Sequence, residues 1–245
     1  MRGGEWYRHP VTHVPRLVEP ERLDSLPAGD PAAIRSRRDL QRLNLVMGQA
    51  GSIARRLLAH GGTRGMRRLV DLGGGDGTLL LRLARRLAPR CGAARAVVVD
   101  RHALVTAATT ERFERLGWTL EAVTAEVSEW LSRDPVADGT VIVANLFLHH
   151  FEDAPLRELL SHVAPRTGRF VACEPRRARF TLGAVRLMGL IGCSSLTRED
   201  GLISVRAGFA GRELSELWPT GDGWETEEGP AGLFSHCFVA SRRQG

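Results

Sequence analysis

The chain contains no lysine; all 34 of its basic residues are arginine. Without a side-chain amine, Schiff-base catalysis is excluded. Cysteine is sparse too. Cys91, Cys173, Cys193 and Cys237 lie far apart with no C-x-x-C pair. That spacing indicates neither a zinc site nor a disulfide framework, so buried thiols are expected, and no metal. Aromatic residues make up only 6% of the chain, which leaves few platforms on which bases could stack. No apolar run approaches the ~20 residues that span a bilayer. The N-terminal MRGGEWYRHP has no apolar stretch of signal-peptide type. A soluble, cytoplasmic protein with no membrane partner is the expectation.

The net charge of +6 raises the question of nucleic acid. The arginines, however, come in pairs scattered along the chain (37/38, 55/56, 67/68, 85/86, 176/177, 242/243), with Glu111, Glu114, Glu126, Glu129 and Asp134 between them. This is the pattern of a solvated surface rather than a binding stripe. A length of 245 residues with 43% hydrophobic content allows one α/β domain with a cap or appendage and a full core.

The organising stretch runs from Arg67 to Leu87, RRLVDLGGGDGTLLLRLARRL. A short apolar run ends in Asp71, and Gly73, Gly74, Gly75 and Gly77 follow. Leu79, Leu80, Leu81, Leu83, Ala84 and Leu87 then recur at helical spacing. The pattern predicts a buried strand, a tight glycine turn and a helix whose unpaired N–H groups face a ligand. About 25 residues on, Ala96-Val97-Val98-Val99 ends in Asp100, where doubly wound folds grip a ribose diol. The dinucleotide fingerprint G-x-G-x-x-G does not fit, because Thr78 stands at its third glycine. Asp76 also places a negative charge where a pyrophosphate would lie.

At these residues the sequence resembles the class I S-adenosylmethionine-dependent methyltransferases of small-molecule type. Their first motif, V-D-L-G-x-G-x-G, is matched by Val70 through Gly77. The resemblance covers roughly residues 65 to 240. It implies an α/β, doubly wound, mostly parallel seven-stranded sheet (Rossmann-like) with an N-terminal helical cap, and S-adenosylmethionine as cofactor. The implied organisation is a flexible N-terminus at 1–18, a helical cap at 19–62, and a cofactor-binding domain at 63–245 with a substrate-lid insertion at 176–210.

Along the chain, Asp30-Pro31 reads as the capped start of a helix. Ile34, Leu40, Leu43, Val46 and Met47 continue it, and Gly51-Ser52 interrupts it. Further helices are expected over about 102–116, closed by Gly117, over 154–163, over 182–191 and over 211–218. Strands are expected at 118–123, 141–146 and 168–173. Two late strands begin at Trp224 and Leu233, with Gly229-Pro230-Ala231-Gly232 between them.

The ligand crevice of such a sheet lies between strands one and four. The expected cofactor residues are Asp71, Gly73, Gly75, Asp76, Gly77, Asp100, Arg101, Glu126, Asn145 and Leu146. For Glu126 the resemblance implies an adenine contact; a solvent-facing glutamate at a helix start is the alternative. His149 and His150 follow the fourth strand, where the family often places a base. Such an adjacent pair points two ways, and His150 is the favoured catalytic residue because it lies further past the strand end. Glu174 could orient that imidazole, or pair with Arg176 or Arg177. Met47, His150 and Arg206 are the substrate candidates, Arg206 for a carboxylate or oxyanion.

The expected reaction is methyl transfer to a hydroxyl or phenol of a small secondary metabolite. Methylation at carbon or nitrogen, an RNA acceptor, and non-catalytic cofactor binding remain as alternatives. Against RNA, Asn145-Leu146-Phe147-Leu148 lacks the Asn/Asp-Pro-Pro-aromatic motif of base-amine methyltransferases.

Overall fold

A computed structural model describes residues 14–243 apart from 28, 60–62, 64, 136, 220 and 222. Residues 1–13 of the segment expected to be loose lie outside the described residues. The remainder of that segment is pinned. Arg16 donates to the Ala207 carbonyl at 2.9 Å, the Phe151 carbonyl at 2.7 Å and Asp153 at 2.7 Å.

Seven strands form one sheet: β1 Arg68–Leu72, β2 Arg95–Asp100, β3 Thr119–Thr124, β4 Thr140–Asn145, β5 Arg169–Pro175, β6 Trp224–Ala231 and β7 Ser235–Arg242. Their order is β3-β2-β1-β4-β5-β7-β6. The first five are parallel, and β7 runs antiparallel to both neighbours. This is the doubly wound, mostly parallel sheet expected. Strands β4 and β5 are buried along their whole length, as unbroken apolar runs require when helices cover both faces.

Alternation along the strands divides the core in two. Leu69, Val98, Val141 and Val171 pack under α3 Gln49–Leu58, α4 Thr78–Cys91 and α5 Ala107–Glu114. Val70, Leu72, Val97 and Phe170 pack under α6 Val127–Arg133, α7 Asp153–Val163 and α10 Glu213–Leu217. Cys173 and Cys237 are buried, as expected of structural thiols; Cys91 and Cys193 are only half-buried.

Several boundaries differ from the sequence expectation. In the N-terminal part, α1 Arg22–Ser25 precedes α2 Pro31–Val46. Asp30 Oδ1 caps α2 by accepting from the Ala32 and Ala33 amides at 2.7 and 3.2 Å. The break after α2 falls at Gly48, in the left-handed conformation at φ +64, and not at Gly51-Ser52, which lie inside α3. Ile53, Ala54 and Leu57 of α3 pack on the sheet layer, so residues 49–58 complete the sandwich instead of capping it.

The helix expected from 102 begins only at Ala107, because Asp100 Oδ1 accepts from the His102 amide at 2.8 Å and holds a turn there. Strand β6 runs through Gly229-Pro230, with the turn displaced to 232–234. Being the edge strand, it tolerates a proline.

Residues 176–210 form α8 Arg179–Leu187, a 3₁₀ turn Met188–Ile191 and α9 Ser195–Ala207. Helix α9 carried no readable period because its buried face includes Thr197 and Asp200 alongside Leu196 and Val205. The buried face of α2 is likewise small and polar, comprising Ala33, Ser36 and Asp39. Its larger apolar residues, Leu40, Leu43 and Met47, face a cavity.

This separates two kinds of leucine. Leu83→Ala, in the core, is expected to cost about 2–5 kcal/mol in urea denaturation, whereas Leu43→Ala should cost less than about 1 kcal/mol. Equal losses would contradict the placement of α2.

Candidate active site

The site forms where β1 and β4 end side by side. After β1 the chain turns through Gly73, at φ +68. A Cβ there would strike the Phe147 ring, so the turn and the segment after β4 can touch only through glycine. Gly75, at φ +57, has open space before it and leaves the backbone accessible. Gly77 starts α4.

Three carboxylates surround this turn. Asp100 Oδ2 accepts from the Gly75 amide at 2.9 Å, which ties the tip of β2 to the turn. Asp76 accepts from the Thr78 amide at 3.0 Å and the Thr78 hydroxyl at 2.7 Å. It also accepts from Gln41 of α2 at 2.6 Å. Asp71 is buried, and neither of its oxygens has a hydrogen-bond partner among the described residues. Burial first, then the charges of Asp100 and Asp76, pushes its carboxyl up to about 8. A buried carboxyl without a donor fits a cationic ligand group.

At the end of β4, Asn145 is buried with its Oδ1 unpartnered. Leu146 follows at φ +52, the one non-glycine residue with positive φ among those described. That conformation costs of order 1 kcal/mol or more and is held by the Leu146 amide donating to the Cys173 carbonyl at 3.0 Å. Glu174, fully buried at the end of β5, accepts from the Phe147 and Leu148 amides at 3.1 and 3.0 Å. Its other oxygen accepts from His149 Nδ1 at 2.8 Å. On the far side of that ring, Nε2 lies 3.2 Å from Glu21 Oε1, and Ser204 donates to the same oxygen. Glu174 thus orients His149 and not His150. The alternative pairing with arginine is taken up by Glu213, which accepts from Arg177.

The pKa values of the two adjacent histidines are shifted in opposite directions. Burial alone would lower His149, but the hydrogen bonds to Glu174 and Glu21, and their charges, raise it to about 9. It is an imidazolium at neutral pH. The His150 ring centroid lies 4.3 Å away. Its pKa is lowered, by burial first and then by the charge on His149; Glu21, Asp24 and Glu174 oppose this without reversing it. His150 is therefore neutral, with Asp24 Oδ2 at 3.4 Å from its Nδ1. Glu21, His149 and His150 also offer three potential ligand atoms within 4.8 Å of one another. A cation there would have to displace the proton that His149 shares with Glu21.

One cavity of about 1190 Å³ joins these parts. Asp71, Gly73, Gly75, Asp76 and Asp100 line one end. Asn145, Leu146, His149 and His150 line its floor, and Met47, Arg101 and Glu126 also reach it. Glu126 is exposed and makes no side-chain cap to α6. Arg206 is a correction: it does not line the cavity, but lies 3.9 Å from Glu19, 44% exposed. Its neighbours Ser204 and Val205 face inward instead. Sequence reasoning missed Glu21, Asp24 and Gln41. They come from the N-terminal segment, and no spacing connects them to the strand ends.

Residues 69–166 match the family model of a methyltransferase domain. That stretch, two-fifths of the chain, holds the glycine turn, Asp100, Asn145 and both histidines. No curated protein matches the sequence. Solved structures share the fold at low identity. An O-methyltransferase family protein from Burkholderia thailandensis is 18% identical, with a TM-score of 0.57, over 89% of this chain and 62% of that one. Mitomycin 7-O-methyltransferase is 18% identical, with a TM-score of 0.57, over 90% of this chain and 60% of its own. The plantazolicin methyltransferase BamL, solved with a triazolic desmethylPZN analog and SAH, is 11% identical, with a TM-score of 0.59, over 90% of this chain and 93% of that one. The chain thus spans about three-fifths of the first two structures' length.

S-adenosylmethionine, the cofactor that the match to a methyltransferase domain points to, has a chemistry that fits the donor set. The unpartnered Asp71 carboxylate suits the methionine ammonium. Asp100, with lone pairs left beside its two amide contacts, suits a ribose diol. Because Asp71 has a raised pKa, it is largely protonated at pH 7 and must ionise against the ammonium. Binding of S-adenosylhomocysteine at pH 7 is therefore expected to release close to one proton, read by calorimetry in buffers of different ionisation enthalpy. Asp71→Asn should abolish that release. Release unchanged in the variant would contradict the assignment.

Proposed function

We propose that this methyltransferase methylates a hydroxyl, most simply a phenol, of a small molecule, with His150 as general base. The observation that carries this is the different setting of the two imidazoles: His149 is bonded between Glu174 and Glu21, whereas His150 stands in the cavity wall with its pKa lowered by burial and by its charged neighbour. The cofactor supplies an activated methyl on a sulfonium. The protein has to align the acceptor oxygen with it and remove the proton. A neutral imidazole takes a phenolic proton as the oxygen attacks.

The carboxylates Glu21, Glu174 and Asp24 surround the pair and compensate the positive charge that then resides on both rings. Phe147, Phe151 and Met47 give the acceptor an apolar wall and exclude water. The names of two structural neighbours, an O-methyltransferase family protein and a mitomycin 7-O-methyltransferase, support this reading.

The test is kinetic. His150→Gln is expected to lower kcat by about 10²–10⁴-fold and leave cofactor affinity nearly unchanged, since the base acts in the transition state. The wild-type rate should rise with pH through a value below the usual 6.5 of histidine and then level off. Stability, followed by the urea midpoint, should fall as His149 loses its proton near 9. The sign follows from linkage. The raised pKa of His149 adds stability that is complete below 6.5 and is lost as pH climbs through about 9. A His150 variant with normal turnover and an unchanged pH profile would overturn the proposal.

A further inference from the structure

Two helices turn apolar stripes into the cavity instead of into the core. On α2 the stripe is Leu40, Leu43 and Met47; on α8 and the turn after it, Ala184, Met188 and Ile191. Each set recurs every three or four residues, so each is one face of its helix. The stripes continue outside. Val46 and Leu187 line the cavity, yet are 82% and 61% exposed; Ile191 is 69% exposed and Leu190, beyond it, 84%.

A buried carboxylate ties α2 to the start of α9, directly after the second wall. Asp39 of α2 accepts from the Ser194 amide at 2.9 Å and the Thr197 hydroxyl at 3.1 Å. Scattered exposed leucines need no explanation. A run of them continuous with the inner wall of a cavity does.

We propose that the acceptor is an amphiphile: a phenolic head beside His150 with an unbranched hydrocarbon tail that lies between the two stripes and leaves along Val46, Leu187 and Leu190. This rests on the hydroxyl-methylation reading for its head group; the tail site stands on the apolar walls. A second protein copy or a lipid surface would cover the outer residues, but would leave the inner stripes in water. A tail covers both, and its continuity with the reaction site commits the groove to the substrate.

The test measures binding and turnover separately. Phenol and 4-alkylphenols from butyl to dodecyl, kept below their micellar concentrations, are titrated into the protein with S-adenosylhomocysteine present. Affinity is expected to rise by about two- to fourfold per methylene over the part of the tail that is covered. Leu187→Asp and Leu43→Asp should flatten that slope. Affinity independent of chain length overturns the proposal. So does a flat slope accompanied by a dimer, or by binding to phosphatidylcholine vesicles, that Leu187→Asp abolishes.

The same series is then assayed for methyl transfer. Tail-dependent binding with no phenol methylated supports the tail site and sinks hydroxyl transfer. Methylation at equal kcat/KM for every chain length does the reverse.

Discussion

The structure depends on one buried interaction, the His149 imidazolium between Glu174 and Glu21. Taking three ionisable groups out of water is costly unless each finds a partner. Here each does: Glu174 also accepts two backbone amides, and Glu21 also accepts from Ser204. The cluster joins the ends of β4 and β5, the N-terminal segment and α9. It therefore fixes the loop after β4, the roof over the cavity and the charge state of the neighbouring imidazole. Removing either carboxylate would cut one of the imidazolium's two hydrogen bonds and release one of the joined elements, so the roof and the setting of His150 are fixed together.

The second constraint is the contact between the two strand ends. Gly73 admits the Phe147 ring, and Leu146 accepts an unfavourable φ just before it. These features bring the cofactor turn against the loop that carries the histidines. Asp76, reached by Gln41 of α2, ties the same turn to the cap. Glycine turn, histidine pair and apolar wall thus belong to one connected unit, although their residues come from widely separated parts of the chain.

Much of this was legible in the sequence where local pattern and burial agree. The strand–glycine–helix unit at 67–87, Asp100 at the tip of β2 and the buried run at 141–145 each carry their own signal, and they were enough to give the sheet and the crevice. Reading stopped where polar side chains are buried. Helix α9 hides Thr197 and Asp200 on its inner face, and α2 hides Ser36 and Asp39, so hydrophobic period points the wrong way or is lost. The charge of Arg206 singles it out, yet a helix of mixed face gives no way to tell its inward positions from its outward ones. Glu21 could not be found at all: its partner is 128 residues away, and only the folded cap brings them together.

The most direct measurement is an NMR titration of the two imidazoles in the cofactor-bound protein, assigned with His149→Gln and His150→Gln. His149 should stay protonated to about pH 9, and His150 should lose its proton below the usual histidine value. In His149→Gln the pKa of His150 should rise, because a neighbouring positive charge has gone. If both rings titrate together near 6.5, or if His150 is the one that stays charged, the division of charge on which this account rests does not exist.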